Sequence, residues 1–185
     1  MIMSAVNEHL ELVKKTFTEE MVKKIIKVGL TIDEAFKNGG KVILFGNGGS
    51  AADAQHISAE FISKLKTNRA SLPAIALTVD TSALTAISND YGFDQVFARQ
   101  VSSLCSKRDV VIGITTSGTS ENVLNGLRTA QEIGATTIGF SGETGMPLVD
   151  LDVCFSIPSK TTARIQELHI MLGHLICGQA EINYV

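Results

Sequence analysis

Short apolar runs recur along this chain of 185 residues, and glycine- or hydroxyl-rich turns lead from them into segments with helical spacing. Lys41-Val-Ile-Leu-Phe45 has the length and composition of a buried strand. It runs into Gly46-Asn-Gly-Gly-Ser50 and then an alanine-rich helix predicted to reach about residue 66. The alternation continues with a strand at 74–79, helices at 81–89 and 93–106, and a strand at 109–115. A helix at 122–133, strands at 136–141 and 153–157, and a long terminal helix at 162–182 complete it. Five strands interleaved with helices predict an α/β fold, a five-stranded parallel doubly wound sheet. In the flavodoxin-like order the first and third strands are neighbours, and ligands bind beyond their carboxyl ends.

Ahead of the sheet, Leu10, Val13, Phe17, Met21, Ile25, Val28, Ile32 and Phe36 recur every three or four residues and predict two helices over 4–38, stopped by Asn38-Gly39-Gly40. The chain reads as one domain, 1–185, with 1–38 a helical extension and 39–185 the α/β core and terminal helix. Charged residues make up 19% and the net charge is -3, so there is no basic footprint for nucleic acid. The N-terminus mixes acids among apolar residues and lacks a signal-peptide core. The apolar stretch 170–182 carries His174 and Glu181 and is too short for a bilayer. Cys105, Cys154 and Cys177 read as reduced core thiols, and a cytoplasmic location with no membrane partner is expected.

Two turns have the chemistry of an anion site. In Asn47, Gly48, Gly49 and Ser50 the glycines let a ligand approach the backbone at a helix N-terminus. Thr115, Thr116, Ser117 and Ser120 gather hydroxyls before another helix, although Thr119 or Ser120 could instead cap it. Together they predict a phosphate held by neutral donors. Gly46-x-Gly48-x-x-Ala51 also fits a dinucleotide fingerprint with Asp80 as the ribose acid, but Asp80 lies too far along the chain.

His56 and Glu60 stand four apart, on one face of the first core helix. That spacing alone suits a surface ion pair as well as a site. Gln166 and His174 are eight apart on the terminal helix, about two turns with some 80° of rotation, so both can face one cleft. His174 sits in an otherwise apolar stretch and needs a partner, and neutral imidazole is a common metal ligand. His169 is read as packed or solvated, and Lys64, Lys66 and Arg69 as a solvated basic patch.

Four stretches carry a resemblance over nearly the whole chain: Phe45 through Glu60, Ala86-Ile-Ser-Asn-Asp-Tyr-Gly-Phe93, Thr115 through Ser120, and Ala163-Arg-Ile-Gln-Glu-Leu-His169 on to His174. They resemble the phosphoheptose isomerase family of the sugar isomerase (SIS) fold. The resemblance implies conversion of D-sedoheptulose 7-phosphate to D-glycero-D-manno-heptose 7-phosphate through an enediol. It also implies a role in lipopolysaccharide or capsule precursor synthesis, and a cytoplasmic homotetramer with one zinc per subunit. It implies His56, Glu60, Gln166 and His174 as metal ligands, and Glu60 and His174 as the residues that share the proton transfers. Asn47, Gly48, Gly49, Ser50, Asn89, Asp90, Thr115, Thr116, Ser117, Ser120, Glu60 and Gln166 are implied to contact substrate. The alternatives are an isomerase for another sugar phosphate and a non-catalytic SIS protein that associates with the replication initiator. The latter group lacks the carboxylate and histidine that this chain retains at 60 and 174. Glu60 is ten residues beyond Ser50, about 15 Å along a helix. That is long for one sugar phosphate to span, so a site completed by a neighbouring subunit is expected, with the N-terminal helices assembling the oligomer.

Overall fold

The computed structural model describes residues 2–184. Two helices lead, α1 (Ile2–Thr16) and α2 (Glu19–Lys37). Thr18 caps α2 by accepting from the Met21 amide, Glu19 and Glu20 occupy its positive end, and Gly39 at φ 74° turns the chain away from its other end. Then follow β1 (Val42–Gly46), α3 (Gly49–Ile62), β2 (Ala74–Ala76), α4 (Thr81–Tyr91), a 3₁₀ turn at Phe93–Gln95 and α5 (Val96–Leu104). The chain continues through β3 (Val110–Ile114), α6 (Glu121–Ile133), β4 (Thr136–Ser141), β5 (Val153–Ser156) and α7 (Thr162–Ala180) to a 3₁₀ turn at Ile182–Tyr184.

All strand pairs are parallel and the order is β2-β1-β3-β4-β5, as the alternation predicts. β1 is the pivot, pairing Val42 with Ala74 on one side and with Val110 on the other. Side chains alternate between faces, the period-two rule of a strand. Val42 and Leu44 of β1 join α2, α3 and α7 in one core layer through Ile32, Ile57, Phe61 and Leu172. Ile43 and Phe45 join α5 and α6 in the other through Phe97, Val101, Val123 and Leu127. Thus α2 belongs to the core as much as to an extension. At the amino edge buried Asp109 accepts from the Lys41 amide and ammonium and from the Ser106 amide. Burial works to raise that carboxyl, and these bonds outweigh it and hold it below the ordinary range.

Several elements are shorter than their sequence pattern, among them the helix at 93–106, which is a 3₁₀ turn followed by α5 over Val96–Leu104, and in two others tertiary contacts set the end. α3 ends at Ile62 rather than near 66, and β2 covers only Ala74–Ala76 of 74–79. The first stops where Arg69, arriving from beyond, takes the carbonyls of Glu60 and Phe61. The second stops because Leu77 and Thr78 turn toward the cap of α4, where Asp80 accepts from the Ala83 amide. Asp80 is therefore a helix cap, not a ribose ligand.

Candidate functional site

β1 and β3 are neighbours, so the two turns that follow them meet at the carboxyl edge of the sheet. Gly48 adopts φ 55°, where a side chain is strained, and the space in front of it is open. No side chain caps α3. In the second turn the buried Thr115 hydroxyl shares hydrogen bonds with Ser117 Oγ at 3.2 Å and Ser120 Oγ at 2.9 Å. Ser120 stands at the N-cap of α6 yet makes no side-chain cap bond, so its hydroxyl serves the turn and not the helix. Thr116 is tied differently, its carbonyl accepting from the Gly142 amide.

Asn122, which the sequence patterns did not single out, joins the two turns. Its side chain and that of Asn47 exchange two hydrogen bonds, Asn47 Nδ2 to Oδ1 at 2.8 Å and Asn122 Nδ2 to Oδ1 at 2.9 Å. The Asn47 side chain is thereby committed to holding the cradle's shape. Only tertiary structure reveals this pair, since the residues are 75 apart.

From this cradle α3 and α7 run side by side in the same direction. Gln166 lies against Gly49 at the start of both helices, Ile57 fills the notch over Gly173 farther along, and Cys177 Sγ approaches the Ile57 carbonyl. His56, Glu60 and His174 meet across this seam. His56 Nε2 stands 2.9 Å from His174 Nε2 and 3.3 Å from Glu60 Oε1, and one ligand atom from each residue lies within 4.8 Å of the others. The His56 side chain is half exposed and that of Glu60 mostly covered. A tetrahedral ion with bonds of about 2.0–2.1 Å separates its ligand atoms by roughly 3.3 Å, so two imidazoles and a carboxylate here fit a zinc-like cation. His174 also lines a cavity of about 500 Å³ with Leu65, Lys66, Gly178 and Glu181.

The other sequence-derived residues lie outside this cluster. Gln166 packs at the cradle end, about 12 Å of helix from His174, which suits contact with a ligand near the turns. Asn89 and Asp90 are exposed at the end of α4 and hydrogen-bond to each other. The 3₁₀ turn just beyond them is tied to α6 through Asn125 and the Asp94 carbonyl. His169 is fully buried, its Nε2 bonded to the Ser141 carbonyl, and burial lowers it to about 4. Arg69 corrects the basic-patch reading: its side chain is wholly buried and paired with Glu181 at 2.7 Å. Asp53, one turn before His56, has a buried Oδ2 without a partner among the described residues, and desolvation raises its carboxyl to about 6 against the pull of His56. Burial lifts the Cys105 thiol to about 11 and pushes Cys177 up further; Cys177 is a core thiol as expected, whereas Cys105 and Cys154 are half-buried at the border of the other core layer. Among the described residues no helix is long and apolar enough to cross a membrane.

Comparison with known proteins assigns the chain's family and fold. Residues 6–142 match the SIS domain. The chain is 55% identical over 170 residues to the phosphoheptose isomerase of Aquifex aeolicus, covering 91% of this chain and 89% of that protein. It is 54% identical over 178 residues to the phosphoheptose isomerase of a Nitratiruptor species, covering 96% and 95%. A solved phosphoheptose isomerase from Francisella tularensis matches with a TM-score of 0.90 at 34% identity, covering 97% of this chain and 95% of that one. That from Neisseria gonorrhoeae gives 0.87 at 39%, covering 97% and 96%.

Proposed function

The chain belongs to the SIS domain family and, within it, to the phosphoheptose isomerases, and from that premise we propose that it converts D-sedoheptulose 7-phosphate to D-glycero-D-manno-heptose 7-phosphate. The observation that carries the reading is the convergence of His56, Glu60 and His174 across the α3–α7 seam, on the helices that start at an anion cradle. Asn47, Gly48, Gly49 and Ser50 with Thr115, Thr116, Ser117 and Ser120 hold the phosphate. Asn89, Asp90 and Gln166 contact the sugar.

The reaction moves one proton between carbons and one between oxygens. Of Glu60 and His174, one removes a proton from C1 while the other protonates the C2 oxygen, giving an enediol. A proton then returns to C2 as the C1 hydroxyl gives one up, leaving the aldehyde. Positioned acid–base groups of this kind contribute typically ~10²–10⁴-fold. His56, Glu60 and His174 would hold one zinc per subunit, and Gln166 would have to swing from its place against Gly49 toward them to become a fourth ligand with substrate present. An ion held there would supply Lewis-acid polarisation of the sugar oxygens and so favour negative charge on them. The protein acts in the cytoplasm as a homotetramer whose neighbouring subunits complete each site, and it supplies precursors for lipopolysaccharide or capsule.

The test is direct. Purified protein given sedoheptulose 7-phosphate forms the aldose phosphate, loses activity on chelation and regains it with Zn²⁺. Full activity after metal is verifiably stripped contradicts the metal assignment, and no turnover of this ketose by the metal-loaded protein contradicts the substrate assignment.

A further inference from the structure

Outside the ligand cluster, α3 and α7 are fastened a second time. Arg69 comes from the loop after α3, and its guanidinium makes bonds on three sides. Nε donates to Glu181 Oε2 at 2.7 Å, Nη1 to the carbonyls of Phe61 and Ala70 at 2.9 Å each, and Nη2 to the carbonyl of Glu60 at 2.8 Å. Its side chain has 0% exposure and that of Glu181 has 5%. Glu181 directly follows α7, seven residues beyond His174. One planar fork thus grips the backbone of the carboxylate ligand and the end of the helix carrying the imidazole ligand. Lysine offers a point charge and cannot make this set of bonds.

We propose that Arg69, with Glu181, is a positioning residue for the metal centre: it fixes where Glu60 stands relative to His174, and so sets metal affinity without contributing to the phosphate cradle. This rests on the reading of His56, Glu60 and His174 as metal ligands. The cradle lies at the opposite end of the same two helices and is held independently by the Asn47–Asn122 pair. Loss of the Arg69 fork should therefore weaken metal binding and leave anion binding intact. Removing a partner that orients a ligand from behind typically costs ~10- to 100-fold in metal affinity.

The experiment compares wild type with Arg69→Lys and with the charge-neutral double variant Arg69→Met/Glu181→Gln, which avoids stranding a buried carboxylate. Lys41→Met/Asp109→Asn serves as control, since it removes an ion pair with a buried carboxylate at the far edge of the sheet. Zn²⁺ affinity is read by chelator competition, the site's symmetry by the Co²⁺ absorption spectrum, and the cradle by competitive inhibition with inorganic phosphate. The expected result is Zn²⁺ affinity lower by roughly tenfold or more in both Arg69 variants, with an altered Co²⁺ spectrum and phosphate inhibition within about twofold of wild type. The control should lose thermal stability and keep its metal affinity. If the double variant does not fold, Arg69→Lys carries the test. Metal affinity unchanged in the Arg69 variants overturns the inference, as does a parallel loss of metal and phosphate binding. Wild type that takes up no metal overturns the underlying metal assignment and the inference with it.

Discussion

His169 and His174 stand five residues apart on α7 and meet opposite environments. His174 reaches another imidazole and a cavity, whereas His169 is sealed against Phe140 and the end of β4, bonded to the Ser141 carbonyl. That bond fixes the neutral tautomer with its proton on Nε2 and leaves Nδ1 as a bare acceptor. The unfolded chain protonates this histidine below about 6.5, while the folded protein resists until about 4. Stability is therefore lost as pH falls through that window, on the order of 3 kcal/mol in total. His169→Gln keeps an amide donor for Ser141 and should flatten the fall of Tm between pH 6.5 and 4. An unchanged slope would show that His169 does not dominate it. Sequence spacing put His56 and Glu60 on one helical face because helical period is a local property, whereas their meeting with His174 was implied only by the family resemblance. Sequence pattern was silent on Asn122 and misread Arg69, because their partners are fixed only by packing.

The same division holds for elements. Strand order and the two turns were legible because apolar runs and glycine or hydroxyl clusters are local signals, and the parallel order follows from them. The end of α3 was not, since its stop is written in Arg69 and not in residues 63–66. The α3–α7 seam depends on close approach: a Cβ at Gly173 would collide with Ile57 Cδ1. Gly173→Ala overpacks this contact, which costs typically 1–3 kcal/mol, and it sits beside His174. We expect a lower Tm with weaker metal binding, and a smaller penalty for Gly173→Ala in an Ile57→Ala background, which removes both Cδ1 and Cγ1, the two nearest atoms that a Cβ at Gly173 would meet. A double-mutant cycle in denaturant checks this. Strict additivity would mean that the two residues do not share the strain.

For the whole molecule, the isolated subunit leaves much apolar surface in water. Ile2, Met3, Val6 and Leu10 on α1 and Val22, Ile26 and Leu30 on α2 are all exposed, while the opposite faces of these helices are packed. Such stripes are the expected contacts of the proposed homotetramer. Leu10→Glu combined with Leu30→Glu should yield a folded monomer by light scattering, with unchanged far-UV circular dichroism and little activity. A fully active monomer would show that one subunit holds a complete site. The central claim concerns what that site does with protons, and isotope incorporation reads it directly. In D₂O the wild type should place deuterium at C2 of the aldose phosphate, and Glu60→Gln should slow product formation by ~10²–10⁴-fold without loss of fold. Product formed by Glu60→Gln at the wild-type rate would contradict the account.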